Sequence, residues 1–289
     1  MRVAELGLVH RYEASGQMHG LVRVRQFTQD DAHIFCMPEQ IENEIIGVIN
    51  LVQEIYSTFG FADYHVELST KPEKHIGSDE IWEIATAALA GALKHKGMAY
   101  QINEGDGAFY GPKIDFHISD CIGRSWQLGT IQLDFSMPQR FGLVYSDRDN
   151  TEKVPVMIHR AILGSLERFL GILIEHYAGN FPLWLAPEQV RVLPISEKSN
   201  DYGQKILDQI QEAGLRGSLD LGDDKIGAKI ARSHADRIPY MAVVGPQEQE
   251  KGTVNVRIRQ EKEGRTIDAQ TFLSALQAKN LNRELHLTF

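Results

Sequence analysis

The sequence predicts an α+β domain, an antiparallel sheet with helices, followed by a small α/β domain. Two strand patterns joined by a polar loop, Arg2 to Tyr12 and Leu21 to Phe35, supply an antiparallel hairpin. Apolar stripes at helical spacing supply the helices. The segment Pro182 to Pro187 (PLWLAP), with two prolines, reads as a linker, and after it strands and helices alternate. The domains are accordingly placed at residues 1–183 and 184–289.

Taken in order, Arg2 to Tyr12 is a strand and Glu13 to Gly20 (EASGQMHG) a polar loop. In the strand from Leu21 to Phe35, the odd positions are Arg23, Arg25, Phe27, Gln29, Asp31 and His33. Val22, Val24, Thr28, Ala32 and Ile34 fall on the opposite face. One face thus presents two guanidiniums, a ring, an amide, a carboxylate and an imidazole. Phe27 on the polar side, and Asp30 beside Asp31, separate it from a plain solvated face. Pro38 suits the first turn of a helix. Ile41, Ile45, Val48, Ile49, Val52, Ile55, Tyr56 and Phe59 form the buried stripe of that helix, and Gly60 ends it. His65 to Ser69 is a short strand, and Ser78 caps a helix running to Lys96. Ala108 to Ile118 and Ser125 to Phe135 are strands, and Val156 to Tyr177, preceded by Pro155, is a strongly apolar helix.

In the second domain, strands are expected at Val190 to Ile195, Ser218 to Leu221, Tyr240 to Val244 and Val254 to Arg259. Helices are expected at Asp201 to Ala213, Ile226 to Ala235 and Ala269 to Ala278, giving a mostly parallel or mixed sheet.

The composition is globular: 43% hydrophobic and 24% charged over 289 residues. No run approaches the roughly 18 apolar residues of a membrane helix. Cys36 and Cys121 do not make a disulfide framework, which suits a reducing cytoplasm. The net charge of −9 excludes a general polycation for nucleic acid. That excess lies wholly in residues 1–185; residues 186–289 carry 15 basic and 15 acidic side chains, the easier place for a local nucleic-acid contact.

Arg11 and Glu13 flank the hairpin loop, and a salt bridge across the hairpin is one reading of them. With Arg23 and Phe27 on the neighbouring strand, a nucleotide is the other: phosphates on arginine, base on the ring, exocyclic amine on Glu13. Arg168 is a charge inside an apolar stretch, read either as a surface residue paired with Glu167 or Glu175 or as part of a ligand site. Gly164 and Ser165 one turn earlier would allow close approach to the backbone. No P-loop or dinucleotide fingerprint is present, so a nucleotide has to bind on a β surface. His33 and His159 are too far apart in sequence for spacing alone to pair them on a metal.

Several long segments carry a resemblance. VHRYEASGQMHGLVRVRQFTQDDAH (Val9–His33) resembles motif 2 of the class II aminoacyl-tRNA synthetases, and more closely the threonyl-tRNA synthetase family. The likeness continues through STKPEKHIGSDEIW (Ser69–Trp82), GAFYGPKIDF (Gly107–Phe116) and WQLGTIQLDF (Trp126–Phe135). It includes VPVMIHRAILGSLERFLGILIEHYAG (Val154–Gly179), similar to motif 3, and WLAPEQV (Trp184–Val190).

The resemblance implies a class II synthetase catalytic domain followed by an anticodon-binding domain, acting with ATP, Mg2+, threonine and tRNA-Thr. Arg11 would grip the α-phosphate and the threonine carboxylate. Glu13 would read the adenine amine, Phe27 and Arg168 would sandwich the ring, and Arg23 and Arg168 would hold phosphates. Gln127 and Thr130 would line the nucleotide site, with Lys113 near the reaction centre. Gln29, Asp31, Tyr110 and Gln132 would surround threonine, Asp31 accepting from its hydroxyl. His33 and His159 would bind a Zn2+ ion that takes the substrate's amine and hydroxyl, penalising valine, which lacks the hydroxyl. Lys225, Glu248 and Arg257 would contact anticodon bases; Asp223 stands where an amide is common in relatives. Arg25 has no assigned role.

Against the family pattern, the chain is expected to be N-terminally truncated. Motif 1, with the homodimer interface, and the third zinc ligand, a Cys, would lie outside it. An exposed strand edge and weak or no activity alone are the expected consequences. The competing reading is a non-catalytic RNA-binding or regulatory protein of synthetase-like shape. Retention of Arg11, Glu13, Phe27, His33, His159 and Arg168 favours the enzyme.

Overall fold

A computed structural model describes residues 1–259 and 261–288. The chain divides into two compact units, Met1–His176 and Tyr177–Phe289. The proline-bearing segment 182–187 lies in the second.

The first unit runs β1 (Arg2–His10), β2 (Gln26–Cys36), α1 (Ile41–Thr58), β3 (Tyr64–Ser69), α2 (Asp79–His95) and β4 (Gln101–Asn103). It continues with β5 (Lys113–Ser119), β6 (Ser125–Asp134), the one-turn α3 (Met137–Arg140), the small hairpin β7 (Tyr145–Ser146) and β8 (Glu152–Lys153), β9 (Val156–Ala161) and α4 (Leu166–Tyr177). Seven strands form one sheet in the order β1-β2-β9-β6-β5-β3-β4. Only β3 and β4 are parallel; the other pairs are antiparallel.

Helix α1 buries Ile41, Ile45, Val48, Ile49, Val52 and Tyr56, the stripe that the sequence periodicity marks. It contacts β2 and β6, and α2 contacts β5, so both helices lie against the sheet. Their packing surface is apolar: Ala32 and Ile34 of β2, Ile114, Phe116 and Ile118 of β5, and Ile131 and Leu133 of β6 are all buried. Ser78 caps α2 by accepting from the Ile81 amide. Strand β1 is the sheet's edge and carries exposed Val3, Leu6 and Leu8.

Three sequence expectations are corrected. Residues 21–25 are loop, because the amides of Val22 and Arg23 turn back onto the His19 carbonyl; the ladder begins at Gln26. Residues 108–111 form a turn closed by the Gly111 amide on the Ala108 carbonyl, and the strand starts at Lys113. Val156–Ala161 is a strand, and the helix begins only at Leu166. It is hydrogen-bonded on both sides, to β2 and β6, and its Val156, Met157 and Ile158 are buried. A short apolar run in a central strand looks, by composition, like the start of a buried helix. Gly164, at φ +73°, separates the two.

The second unit contains β10 (Val190–Pro194), α5 (Asn200–Glu212), β11 (Gly217–Leu219), α6 (Ile226–Ala235) and β12 (Tyr240–Val244). It ends with α7 (Pro246–Lys251), β13 (Thr253–Ile258), β14 (Arg265–Asp268) and α8 (Ala269–Leu281). Its sheet, β11-β10-β12-β13-β14, is mixed: the first three strands are parallel and the last three antiparallel. Val190, Val192, Ile206, Ile210, Tyr240 and Phe272 anchor its core. Lys229 is buried, and its ammonium donates to the carbonyls of Pro194 and Asp220 at 3.2 and 2.9 Å. It thereby satisfies backbone acceptors at the end of β10 and just past the end of β11. Among the described residues, no helix is long and apolar enough to cross a membrane.

Candidate active site

Two rows of side chains cross the sheet of the first unit because antiparallel register sets their owners side by side. One row runs His33, His159, Gln132 and Lys113 over β2, β9, β6 and β5. The next runs Asp31, Ala161, Thr130 and Asp115 over the same strands. Alternation puts these residues on one face. Over them lies a cavity of about 420 Å³. Arg11, Glu13, Arg23 and Phe27 line it from the hairpin, and Gln29 and Asp31 from β2. Gln127, Thr130 and Gln132 of β6, Tyr110, His159 and Arg168 complete the expected set. Lys113 and His33 stand outside the lining.

The hairpin end is cationic but internally tied. The Arg11 guanidinium lies over the Phe27 ring, 5.1 Å from its centroid. Arg23 donates from Nε to the Glu13 carboxylate at 3.1 Å. Arg25 acquires a role here: its Nε and Nη2 donate to the Glu13 carbonyl at 3.0 and 2.8 Å, fixing the turn that presents Glu13. The loop is also seated at its tip. His19 stacks on Trp126, 6.3 Å between centroids, and its Nε2 is 3.3 Å from Arg124 Nη1.

Arg168 comes from the first turn of α4. Its Nε donates to the Val22 carbonyl and its Nη1 to the Gln127 carbonyl, both at 2.7 Å. This overturns the surface-pair reading of Arg168, since Glu167 instead accepts from the Thr28 amide at 2.9 Å. Burial, reinforced by the charges of Arg23 and Arg11, pushes the Arg168 guanidinium below its ordinary value. Four guanidiniums line the cavity, those of Arg11, Arg23, Arg160 and Arg168, against the two carboxylates of Glu13 and Asp31, and the excess of positive charge suits an anionic ligand.

Gly164 lies where β6 and the β9–α4 loop meet. A Cβ there would sit 2.4 Å from the Leu128 carbonyl oxygen. Backbone packing and the left-handed φ therefore require this glycine, whatever room it leaves a ligand. Asp30 ties the same loop down: its carboxylate accepts from the amides of Ile162 (2.8 Å), Leu163 (3.1 Å) and Gly164 (3.0 Å). The buried Tyr56 hydroxyl donates to the Ile162 carbonyl at 2.9 Å and accepts from the Gly129 amide at 3.0 Å, joining the loop to β6.

The floor is a polar mesh. Asp115, buried, accepts from Thr130 Oγ1 at 2.8 Å and Gln127 Nε2 at 2.5 Å, and pairs with Lys113. Lys113 also donates to Asp106 at 3.0 Å. Burial alone would lower the Lys113 ammonium; the bonds and charges of Asp115 and Asp106 outweigh it and raise it. Tyr110 donates to Gln132, and burial, with the charges of Asp134 and Asp31, pushes its hydroxyl up to about 12. It therefore acts as a neutral donor near Asp31.

The imidazoles of His33 and His159 meet edge to face, 4.8 Å between centroids. Their chemistry suits zinc, and His159 Nε2 lies 3.0 Å from the buried Asp134 carboxylate. Two nitrogens from this chain fit part of a zinc shell. Among the described residues, no group of three metal-ligating side chains is gathered.

Asp30, Tyr56, Asp134 and Trp126 escaped the sequence reading of the site. For Asp30 the signal was present, in the doublet that broke the alternation. The others depend on contacts distant in sequence.

In the second unit, Lys225 precedes α6, Glu248 sits in α7 and Arg257 on β13. Lys225 is exposed, as is Asp223. Glu248 accepts from the Gly245 amide at 3.0 Å, and Arg257 Nη1 donates to the Lys262 carbonyl at 3.2 Å.

Comparison with known proteins matches residues 1–177 to the tRNA synthetase class II core domain (G, H, P, S and T) and residues 189–279 to an anticodon binding domain. A threonine–tRNA ligase of Syntrophomonas wolfei is 60% identical over 90% of this chain and 41% of its own length. The threonine–tRNA ligase of Thermotoga maritima is 56% identical over 100% of this chain and 45% of its own. The chain thus spans less than half the length of these curated relatives. The solved RNA binding domain of threonyl-tRNA synthetase from Cryptosporidium parvum superposes with a TM-score of 0.91 at 40% identity, covering 96% of this chain and 70% of that one.

Proposed function

This chain belongs to the threonyl-tRNA synthetase family of class II aminoacyl-tRNA synthetases, and on that premise we propose that it serves ATP-dependent activation of threonine and its transfer to tRNA-Thr. Residues 1–183 carry the chemistry and 184–289 the anticodon contact. The observation that supports this best is one cavity holding Arg11, Arg23, Phe27 and Arg168 at one end and Gln29, Asp31 and Gln132 further along β2 and β6, with Tyr110 beside Gln132.

In this reading the threonine carboxylate attacks the α-phosphorus of ATP, pyrophosphate leaves, and threonyl-adenylate forms. The residues mainly position groups and offset charge. Arg11 and Arg23 neutralise the phosphates, and Arg11 leaves the Phe27 face it covers when a purine stacks there. Arg168, fixed from below by two carbonyls, offers its plane to the other side of the base. Glu13 accepts from the adenine amine. Asp31 accepts from the threonine hydroxyl, while Gln29, Gln132 and Tyr110 bound the amino acid. Lys113 stays paired with Asp115 and Asp106, and its part is to hold the mesh beneath Gln127 and Thr130.

Mg2+ would accompany ATP and share its phosphate charge. His33 and His159 would hold a zinc ion, which supplies a Lewis acid for the amine and hydroxyl of threonine. Lys225, Glu248 and Arg257 would read unstacked anticodon bases through their edges. A homodimer in the cytoplasm completes the proposal.

The test is calorimetric binding of a non-hydrolysable threonyl-adenylate analogue, beside threonine-dependent ATP–pyrophosphate exchange. The threonyl analogue should bind at least about 10-fold more tightly than the valyl one, because a site that engages a hydroxyl penalises its absence. Arg168→Ala should weaken both by a similar factor. Absence of analogue binding, with tRNA binding retained, would replace the enzyme by the non-catalytic RNA-binding reading.

A further inference from the structure

Asp134 is a fully buried carboxylate at the end of β6, one strand away from His159. Its two oxygens have separate partners. Oδ1 accepts from the amides of Ser136 and Met137, at 2.7 and 3.0 Å, and shapes the turn into α3. Oδ2 lies 3.0 Å from Nε2 of His159. The ring is also bounded by Tyr110, 5.4 Å away between centroids, and by His33.

We infer that Asp134 is a positioning residue that sets the orientation and the tautomer of His159. This rests on the reading of His159 as a zinc ligand. A carboxylate only accepts hydrogen bonds, so the neutral imidazole facing it carries its proton on Nε2. Nδ1 then keeps its lone pair, and it is the nitrogen with which His159 can ligate a metal. Carboxylates commonly steer metal-ligating histidines in this way, fixing the ring and raising its basicity. Because Oδ1 already serves the turn, the carboxylate cannot rotate away without leaving two amides unpaired. The orientation is thus built into the fold before any metal arrives.

Asp134→Asn separates this role from a purely structural one. The amide oxygen keeps the Ser136 and Met137 bonds, and the NH2 group replaces Oδ2 opposite His159. A donor now faces Nε2, so the proton moves to Nδ1 and removes the lone pair needed for a metal. The measurement is long-range 1H–15N correlation on the metal-free full chain, in alkaline buffer where imidazoles are neutral. The parent should show His159 as the Nε2–H tautomer and Asp134→Asn should show it as Nδ1–H, with the variant still folded and its unfolding midpoint only modestly lowered, because the two amides keep an acceptor that is now neutral. Calorimetry with Zn2+ alone should then show roughly 10- to 100-fold weaker binding in the variant. An unchanged tautomer in Asp134→Asn, or Nδ1–H already in the parent, overturns the inference. If the tautomer switches while the parent takes up no Zn2+, Asp134 still sets the ring, and it is the zinc reading of the site that fails.

Discussion

Asp30 and Asp31 are neighbours on β2 whose carboxylates do different work. Asp31 lines the cavity, whereas Asp30 accepts the amides of residues 162, 163 and 164. Hydrogen bonds to a charged acceptor contribute more than neutral ones, and removing the acceptor leaves several amides unpaired. Asp30→Ala should therefore cost about 2–4 kcal/mol in urea unfolding. It should also weaken ATP binding, because the same loop leads into the turn that holds Arg168. Asp31→Ala should change stability by no more than about 0.5 kcal/mol, as for a residue with few structural duties. Its effect should fall on discrimination between the threonyl and valyl analogues. A larger stability loss in Asp31→Ala than in Asp30→Ala would reverse these assignments.

At the scale of elements, the junction between β9 and α4 decides whether the cavity forms. The strand brings His159 into the row with His33 and Gln132, and the helix brings Arg168 back over the loop. Gly164 makes the turn between them, with a left-handed φ and no room for a Cβ beside the Leu128 carbonyl. Gly164→Ala should cost more than about 2 kcal/mol, combining conformational strain with the clash. Urea unfolding would register it, and a loss below 1 kcal/mol would show that β6 and the loop can part cheaply. This junction is also where the sequence was least legible. Period-two alternation reported Phe27, Gln29, Asp31 and His33 correctly, because a ladder with one polar face writes its geometry into the chain. Helical spacing did the same for α1 and for Ile226–Ala235. Val156–Ala161 has no alternation, since most of that strand is buried, so it merged with the helix that follows. Nor could spacing disclose that Asp134 faces His159 or that Tyr56 reaches Gly129 and Ile162. Those contacts depend on which strands become neighbours; the family resemblance had placed His159 in the site, but neither it nor periodicity pointed to Asp134 or Tyr56.

For the molecule as a whole, the two units answer differently to acid. In the first, partial desolvation lowers half-buried His117, where Glu67 and Asp115 oppose the effect and His65 and Lys113 add to it, and also the more exposed His176, whose ring packs 4.6 Å from Phe61. A histidine lowered in the folded state takes up its proton more readily when unfolded. Its contribution is complete above the unfolded value, about 6.5, and drains away as pH falls from there to the folded value. The lowered carboxylates behave otherwise. Burial alone would raise Asp120, but Trp126, Arg124 and nearby amides outweigh it and hold it far below the ordinary range. Asp220 in the second unit is held down by Arg232 and the Gly222 amide against its burial, and Asp268 by its bonds to Thr271. Such groups stabilise above the unfolded carboxylate value, about 3.9, and lose that contribution only below it. The first unit should therefore begin to weaken near pH 6.5, and the second should hold until about pH 4. Hydrogen exchange resolved to each unit, on the whole chain at a series of pH values, separates the two, and two transitions are expected. His117→Gln should flatten the upper leg in the first unit and leave the second unit's profile unchanged. Parallel weakening of both units from neutral pH downward would show that His117 and His176 do not set the acid response.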